Sequence, residues 1–174
     1  MTTSEHRRQF VQLLQAHRGI VYKVAGCYSR IPADRADLVQ EICLQLWRAF
    51  PRYDRQRKFS TWMYRVALNV AISQARRTYQ SDVGRSEPLN QIHLETLGAD
   101  DTDRERLEQL EMMYAFIAEL EPLNRALILL YLDDHSYTEM ADILGIRATN
   151  VATKISRIKS TLRDKMTVDT TTGV

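Results

Sequence analysis

Apolar positions recur along the chain at steps of three and four, and polar breaks divide that pattern into helical segments. From Phe10 to about Ser29, the residues Phe10, Leu13, Leu14, Val21, Val24 and Ala25 mark one helix, which Ile31-Pro32-Ala33 then breaks. The stretch Asp34 to Phe50 places Leu38, Ile42, Cys43, Leu46 and Trp47 on one stripe, with Asp34 in the first turn, where a carboxylate suits the helix dipole. Pro51 ends that helix. A polar, basic loop from Arg52 to Lys58 leads into a third helix near Ser60, on which Trp62, Val66, Val70 and Ile72 mark the apolar side and which finishes in Arg76-Arg77.

The segment from Tyr79 to about Asp103 holds Gly84, Pro88, Gly98 and many acids without a clear period, and reads as a linker. A strongly periodic helix follows from Arg104, with Leu107, Leu110, Met113, Tyr114, Ile117 and Leu120. Pro122 has the φ of a first helical turn and opens a helix over Leu123 to Leu132. Ser136-Tyr137-Thr138-Glu139 is a capping box, in which the Ser hydroxyl and the Glu carboxylate satisfy each other's exposed backbone amides. The tail from Thr167 to Val174 is expected to fray. These segments predict an all-α protein of two small helical domains: residues 1–80, a linker over 81–103, and residues 104–167.

Composition agrees, since 6 Gly and 4 Pro leave few helix breakers among 174 residues of which 44% are hydrophobic. Cys27 and Cys43 sit among apolar neighbours and read as buried packing residues. No window approaches the length of a membrane span, and the N-terminus lacks the apolar stretch of a signal peptide, which predicts a cytoplasmic location. The formal net charge of +2 conceals an asymmetry: residues 1–80 carry 14 Lys and Arg against 5 Asp and Glu, whereas residues 81–110 carry 3 against 8. A basic first domain suggests a polyanionic partner, and the acidic middle a spacer or an intramolecular mask.

Tyr137 to Lys159, YTEMADILGIRATNVATKISRIK, has the arrangement of a helix-turn-helix. Ala141 is small where two helices cross, and Gly145 supplies a turn conformation that a side chain would hinder. Met140, Leu144, Ile146, Val151 and Ile155 form the shared apolar seam. The second helix offers Thr149, Asn150, Thr153, Lys154 and Arg157 outward, types that bond base edges and phosphates in a major groove. The alternative is a polar, solvated face on an ordinary helical hairpin.

In the first half, Asp34-Arg35-Ala36-Asp37-Leu38-Val39-Gln40-Glu41, then Leu46-Trp47-Arg48, then Phe59-Ser60-Thr61-Trp62-Met63-Tyr64-Arg65-Val66-Ala67-Leu68-Asn69 resembles region 2 of the extracytoplasmic-function sigma factors. Leu120-Glu121-Pro122-Leu123-Asn124-Arg125 and the helix-turn-helix resemble region 4 of the same family. The resemblance implies a subunit that binds RNA polymerase core and directs it to promoters. Docking on the coiled coil of the polymerase β′ subunit would fall to Asp34, Asp37, Leu38, Gln40, Glu41 and Leu44. An acidic patch on a basic domain suits a cationic protein face better than DNA, although the same acids also suit a solvated helix N-terminus.

Reading and opening of the −10 element would fall to the segment Tyr53 to Arg77. Strand opening needs a basic groove, which Arg55, Arg57, Lys58, Arg65, Arg76 and Arg77 can supply. It also needs an aromatic platform, for which Tyr53, Phe59, Trp62 and Tyr64 are candidates beside Ser60 and Thr61; Phe59 and Trp62 equally suit the core. Asn69 is either a base or backbone contact or a core hydrogen bond. The −35 element would be read as duplex by Tyr137, Thr138, Thr149, Asn150, Thr153, Lys154 and Arg157. Implied partners are the polymerase core (β′ coiled coil and β flap), promoter DNA and an anti-sigma factor. Ala36, Ser73 and Thr149-Asn150 depart from the family's usual residues, and they leave docking strength and promoter sequence open.

Two other classes fit parts of this pattern, a stand-alone helix-turn-helix regulator and a helical protein-binding adaptor. An enzyme does not, because His6, His17, His93 and His135 lack metal-ligand spacing with either Cys, and no phosphate-cradling Gly loop or nucleophile motif occurs. No cofactor and no metal is expected.

Overall fold

The computed structural model describes residues 3–81 and 113–171, and every regular element among them is helical. The chain divides into two compact units. Residues 82–112, which include most of the expected linker and the start of the helix expected from Arg104, lie outside the described residues.

The N-terminal unit contains α1 (Thr3–Ala16), α2 (Arg18–Tyr28), α3 (Pro32–Ala49), a 3-10 turn (Phe50–Arg52) and α4 (Phe59–Ser81). The single helix expected over Phe10 to Ser29 is two helices that part at His17. There the amide bonds back to Leu13 O at 3.2 Å and Leu14 O at 3.3 Å, and the ring Nδ1 lies 3.0 Å from Leu13 O. The break expected around Ile31 and Pro32 falls between α2 and α3, and Pro32 itself opens the second helix at its N1 position, where its missing amide costs nothing.

α4 packs against both α2 and α3, which also pack on each other. Its buried face is Met63, Tyr64, Ala67, Leu68, Ala71 and Ile72; of the expected stripe Ile72 lies on it, whereas Trp62, Val66 and Val70 are half-buried. Ala67 and Ala71 decide this, because small side chains let two helices approach α4 closely and pull its axis into the core. Val21, Val24 and Ala25 of α2 and Leu38, Ile42 and Leu46 of α3 complete that core. Cys27 and Cys43 are half-buried free thiols rather than fully buried ones, and burial pushes the Cys43 thiol up, which keeps it protonated.

The C-terminal unit contains α5 (described over 113–119), α6 (Pro122–Leu132), α7 (Tyr137–Leu144) and α8 (Ala148–Thr171). α6 is its central element, with Ala126 through Leu130 all buried in an unbroken run. Arg125 ties the end of α5 to the start of α6: its Nε donates to Leu120 O at 2.8 Å and its terminal nitrogen to Ala118 O, satisfying carbonyls that the end of α5 leaves open. α6 stops in a Schellman arrangement, with Asp134 left-handed at φ 58°, Asp134 N bonded to Tyr131 O and His135 N to Leu130 O.

The capping box is formed as expected. Ser136 N donates to Glu139 Oε2 at 2.9 Å, and Glu139 N donates to Ser136 Oγ at 3.2 Å. α7 ends on Gly145 at φ 67°, and Ile146 N reaches back to Ala141 O at 3.1 Å, the second Schellman closure of this unit. A Cβ at Gly145 would meet no atom within 4 Å, so the glycine is there for its backbone angle alone. Met140, Ile143, Val151, Ile155 and Ile158 are the buried seam, whereas Leu144 and Ile146 are half-buried. α8 continues to Thr171, past the point where fraying was expected, because no Gly or Pro interrupts it.

Replacing the fully buried Ile42 by Ala is expected to cost the N-terminal unit about 2–5 kcal/mol. Both tryptophans, Trp47 and Trp62, lie in that unit, so their fluorescence in a urea titration reads the loss directly. Gly145→Ala is expected to cost about 1–2 kcal/mol through the left-handed backbone alone. Gly145→Asn, followed by thermal circular dichroism, should recover part of that loss.

Candidate nucleic-acid and partner interfaces

The loop between α3 and α4 is ordered by its own hydrogen bonds. Tyr53 N bonds to Phe50 O at 3.0 Å, Asp54 Oδ1 accepts from Gln56 N at 3.0 Å, Arg57 N bonds to Asp54 O at 3.1 Å, and Tyr53 Oη donates to Arg57 O at 2.5 Å. Desolvation, reinforced by the neighbouring Asp54, pushes the Tyr53 phenol up, so it remains the neutral donor this bond requires. Arg55 reaches back to α1, where its guanidinium meets Gln9 Oε1 at 2.7 Å.

Beneath the loop lies an aromatic cluster. Phe50 is its hub, with ring centroids 5.1 Å from Phe10 and His6, 6.1 Å from Tyr53, 6.4 Å from Phe59 and 6.3 Å from Trp62. Tyr53 and Trp62 are 4.9 Å apart at the rim and half-buried, while Phe59 is 7% and Tyr64 3% exposed. Phe59 and Tyr64 therefore support the site from within, and the accessible aromatic edge belongs to Tyr53 and Trp62. Asn69 is exposed, which removes the alternative of a core hydrogen bond.

Arg57, Lys58, Arg76 and Arg77 are exposed, and Ser60, Thr61 and Arg65 are half-buried along the loop and the start of α4. On α3 the exposed polar residues of the first turns are Asp34, Asp37, Gln40 and Glu41, followed by Leu44 at 41% and Trp47 at 39% exposure, with Arg48 exposed in the last turn. Leu38, expected to share this face, is only 2% exposed and anchors α3 in the core. Between α3 and α4 runs an open groove of about 660 Å3, with Asp37, Glu41 and Gln45 on one wall and Asn69, Ser73 and Arg77 on the other. Trp47, expected on the apolar stripe, packs one edge on Phe10 at 5.1 Å and leaves the other exposed; its i+3 spacing from Leu44 is the sequence signal for that exposed edge.

On the helix-turn-helix, Tyr137, Thr138, Thr149, Asn150, Thr153 and Arg157 are exposed together with Arg147, which the sequence reading did not single out. Its position just before α8 was the signal, since the first turn of a second helix is where a groove is entered. Thr153 Oγ1 donates to Thr149 O at 3.0 Å. The lysines behave otherwise. Lys154 Nζ lies 3.4 Å from Asn124 Oδ1, Lys159 Nζ donates to the Tyr131 hydroxyl at 2.6 Å while sitting 4.1 Å from that ring's centroid, and Lys165 pairs with Glu119. The Tyr131 hydrogen bond pushes the Lys159 ammonium up, so it stays charged. These lysines fasten α8 to α5 and α6.

Among the described residues no group of His, Cys, Asp and Glu could hold a metal ion, and no helix is long and apolar enough to cross a membrane.

Residues 13–80 match the family of sigma-70 region 2, and residues 110–162 that of sigma-70 region 4. The ECF RNA polymerase sigma-E factor of Escherichia coli is 33% identical over 158 residues, covering 83% of this chain and 81% of that protein. The ECF sigma factor SigW of Bacillus subtilis is 27% identical over 168 residues, covering 90% and 88%. Two solved structures share the fold: CnrH in complex with the cytosolic domain of CnrY, with a TM-score of 0.65 at 22% identity over 94% of this chain and 90% of that one, and the sigma factor RpoE of Bartonella quintana in complex with the anti-sigma factor NepR, with 0.66 at 21% over 96% and 99%. With its two regions in order and its relatives matched over most of their length, the chain belongs to the extracytoplasmic-function family of RNA polymerase sigma factors.

Proposed function

We propose that this chain is a non-enzymatic promoter-specificity subunit, in which residues 1–80 dock on RNA polymerase core and open the −10 element, and residues 104–167 read the −35 element as duplex. The observation that carries this reading is the segregation of surface chemistry in the N-terminal unit. One helix, α3, presents Asp34, Asp37, Gln40, Glu41 and Leu44, while the loop and α4 present cations beside the Tyr53 and Trp62 edge. A polyanion is attracted by the second surface and repelled by the first, which complements a cationic protein face. The acidic face would meet the β′ coiled coil, and the C-terminal unit the β flap.

At −10, Arg57, Lys58, Arg65, Arg76 and Arg77 hold backbone phosphates, Ser60 and Thr61 lie at the start of the same helix, and an unstacked base meets the Tyr53–Trp62 rim. Asn69 is available for a base edge or backbone contact. At −35, Asn150 and Arg157 are the base-reading candidates, with Tyr137, Thr138, Thr149, Thr153 and Lys154 around them. The anti-sigma partner of the Bartonella quintana relative supports an anti-sigma factor as a further partner of this chain.

Run-off transcription from a cognate promoter is expected only when the chain is combined with polymerase core. Tight, core-independent binding of a duplex operator by a dimer would instead mark a stand-alone regulator. Charge reversal, Asp37→Lys with Glu41→Lys, is expected to weaken capture of core in a pull-down at least tenfold while the far-ultraviolet circular dichroism stays unchanged, on the scale of lost pairing at a charged interface. Asn150→Ala is expected to cost about 1–3 kcal/mol at a −35 duplex and to relax its sequence preference. Lys159→Ala should lower the melting temperature and leave that preference intact, as electrophoretic mobility shifts with variant duplexes will read.

A further inference from the structure

Three residues, Ser29 to Ile31, connect α2 to α3. Ser29 leaves α2 in an extended conformation, φ −137° and ψ 125°, without the left-handed residue that closes α6, and Ile31 gives α3 no side-chain cap. Arg35 ties the two helices together instead. Its amide donates to Ile31 O at 2.9 Å, its Nε to Ser29 O at 3.2 Å and a terminal nitrogen to Arg30 O at 3.1 Å. One residue thus holds every carbonyl of the connection, and the guanidinium fork suits this because its donors diverge toward two acceptors at once. The C-terminal unit repeats the device. Pro122 at N1 is followed three residues later by Arg125, as Pro32 is by Arg35; the Arg125 amide meets Glu121 O at 3.0 Å and its guanidinium meets Leu120 O and Ala118 O.

Arg35 is half-buried and follows Asp34 directly, two residues before Asp37. By charge alone it is adverse there, since it subtracts from the negative potential that draws a cationic partner to these acids. We propose that Arg35 is a positioning residue for core docking: by holding the connection it fixes the start of α3, and with it the Asp34 and Asp37 carboxylates, in the orientation the partner meets. The proposal rests on the assignment of α3 to a cationic polymerase surface. It gives Arg35 an effect opposite in sign to that of its charge. An Arg35 acting only as a charge opposes docking, and its removal tightens the complex. An Arg35 that positions the acids favours docking, and its removal loosens the complex.

The test is a double-mutant cycle on the affinity of the fluorescently labelled full chain for polymerase core, with circular dichroism confirming that each variant is folded at the assay temperature. Arg35→Ala is expected to weaken core binding about threefold to tenfold. Arg35→Lys keeps the charge but offers a single ammonium in place of the fork, so it is expected to weaken binding as well, and it stands in if the alanine variant does not fold. When Asp34→Asn and Asp37→Asn are already present, the same change at Arg35 is expected to cost less than about twofold, because it acts through those carboxylates. Unchanged or tighter binding by Arg35→Ala and Arg35→Lys overturns the proposal, and so does an equal loss in both backgrounds, which marks a purely structural role. The Asp34→Asn, Asp37→Asn pair by itself separates the two levels. If it weakens core binding while the Arg35 variants do not, the docking face stands and the positioning role fails; if it has no effect, the docking assignment fails and the positioning role with it.

Discussion

The N-terminal unit depends on the burial of one ring. Phe50 sits where α3 has to end, and its contacts with Phe10, Tyr53, Phe59 and Trp62 join α1, the loop and α4 around one point. Pro51 follows at once, so the chain cannot continue as α-helix and tightens into the 3-10 turn over Phe50–Arg52 before it passes over the cluster. The loop's hydrogen bonds then close on a platform already made rigid by aromatic packing. Edge-on and tilted ring contacts of this kind each add about 0.5–1.5 kcal/mol beyond the area they bury. The cations of the loop sit over that cluster, while those farther along α4 follow from the packing of Met63, Ala67, Leu68 and Ala71 against α2 and α3.

The C-terminal unit solves a related problem with different means. A helix that is polar on its outer face still has to be fixed in orientation. Here α8 is fixed on its inner face by Val151, Ile155 and Ile158, and at its flank by lysines that reach Asn124, Tyr131 and Glu119. Long aliphatic stems let such residues pack along apolar surface while the ammonium finds a polar partner. The basic residues of α8 and of the turn before it thus divide into those that orient the helix and those, Arg157 and Arg147, that face outward.

Much of this was legible in the sequence because short-range rules governed it. Ser136 and Glu139, Gly145, Pro122 and the apolar steps of α3 each act within one or two turns, and their elements formed where they indicated. The misreadings arose where a second helix decided the outcome. The buried stripe of α4 was misplaced because Ala67 and Ala71 signal nothing on a hydrophobicity pattern until two neighbours close on them. Leu38 is buried as its place on the apolar stripe indicated and so leaves the docking face, whereas Trp47 on the same stripe stays 39% exposed beside Phe10: how far each residue of α3 is covered depends on where the neighbouring helices lie. Lysine partners such as Tyr131 are 28 residues from Lys159 in sequence, beyond any local pattern.

The Tyr53 bond to the Arg57 carbonyl has a consequence for the cost of capturing a strand. A loop that is disordered before binding loses about 1–2 kcal/mol of backbone entropy for each residue it fixes on contact. The loop over 53–57 is already closed by its own turn and by the phenol, so little of that entropy is left to lose. The conformational work of opening would then fall almost wholly on the nucleic acid, and the sequence-dependent ease of unstacking a base step, rather than any rearrangement of this loop, would govern how readily a promoter opens.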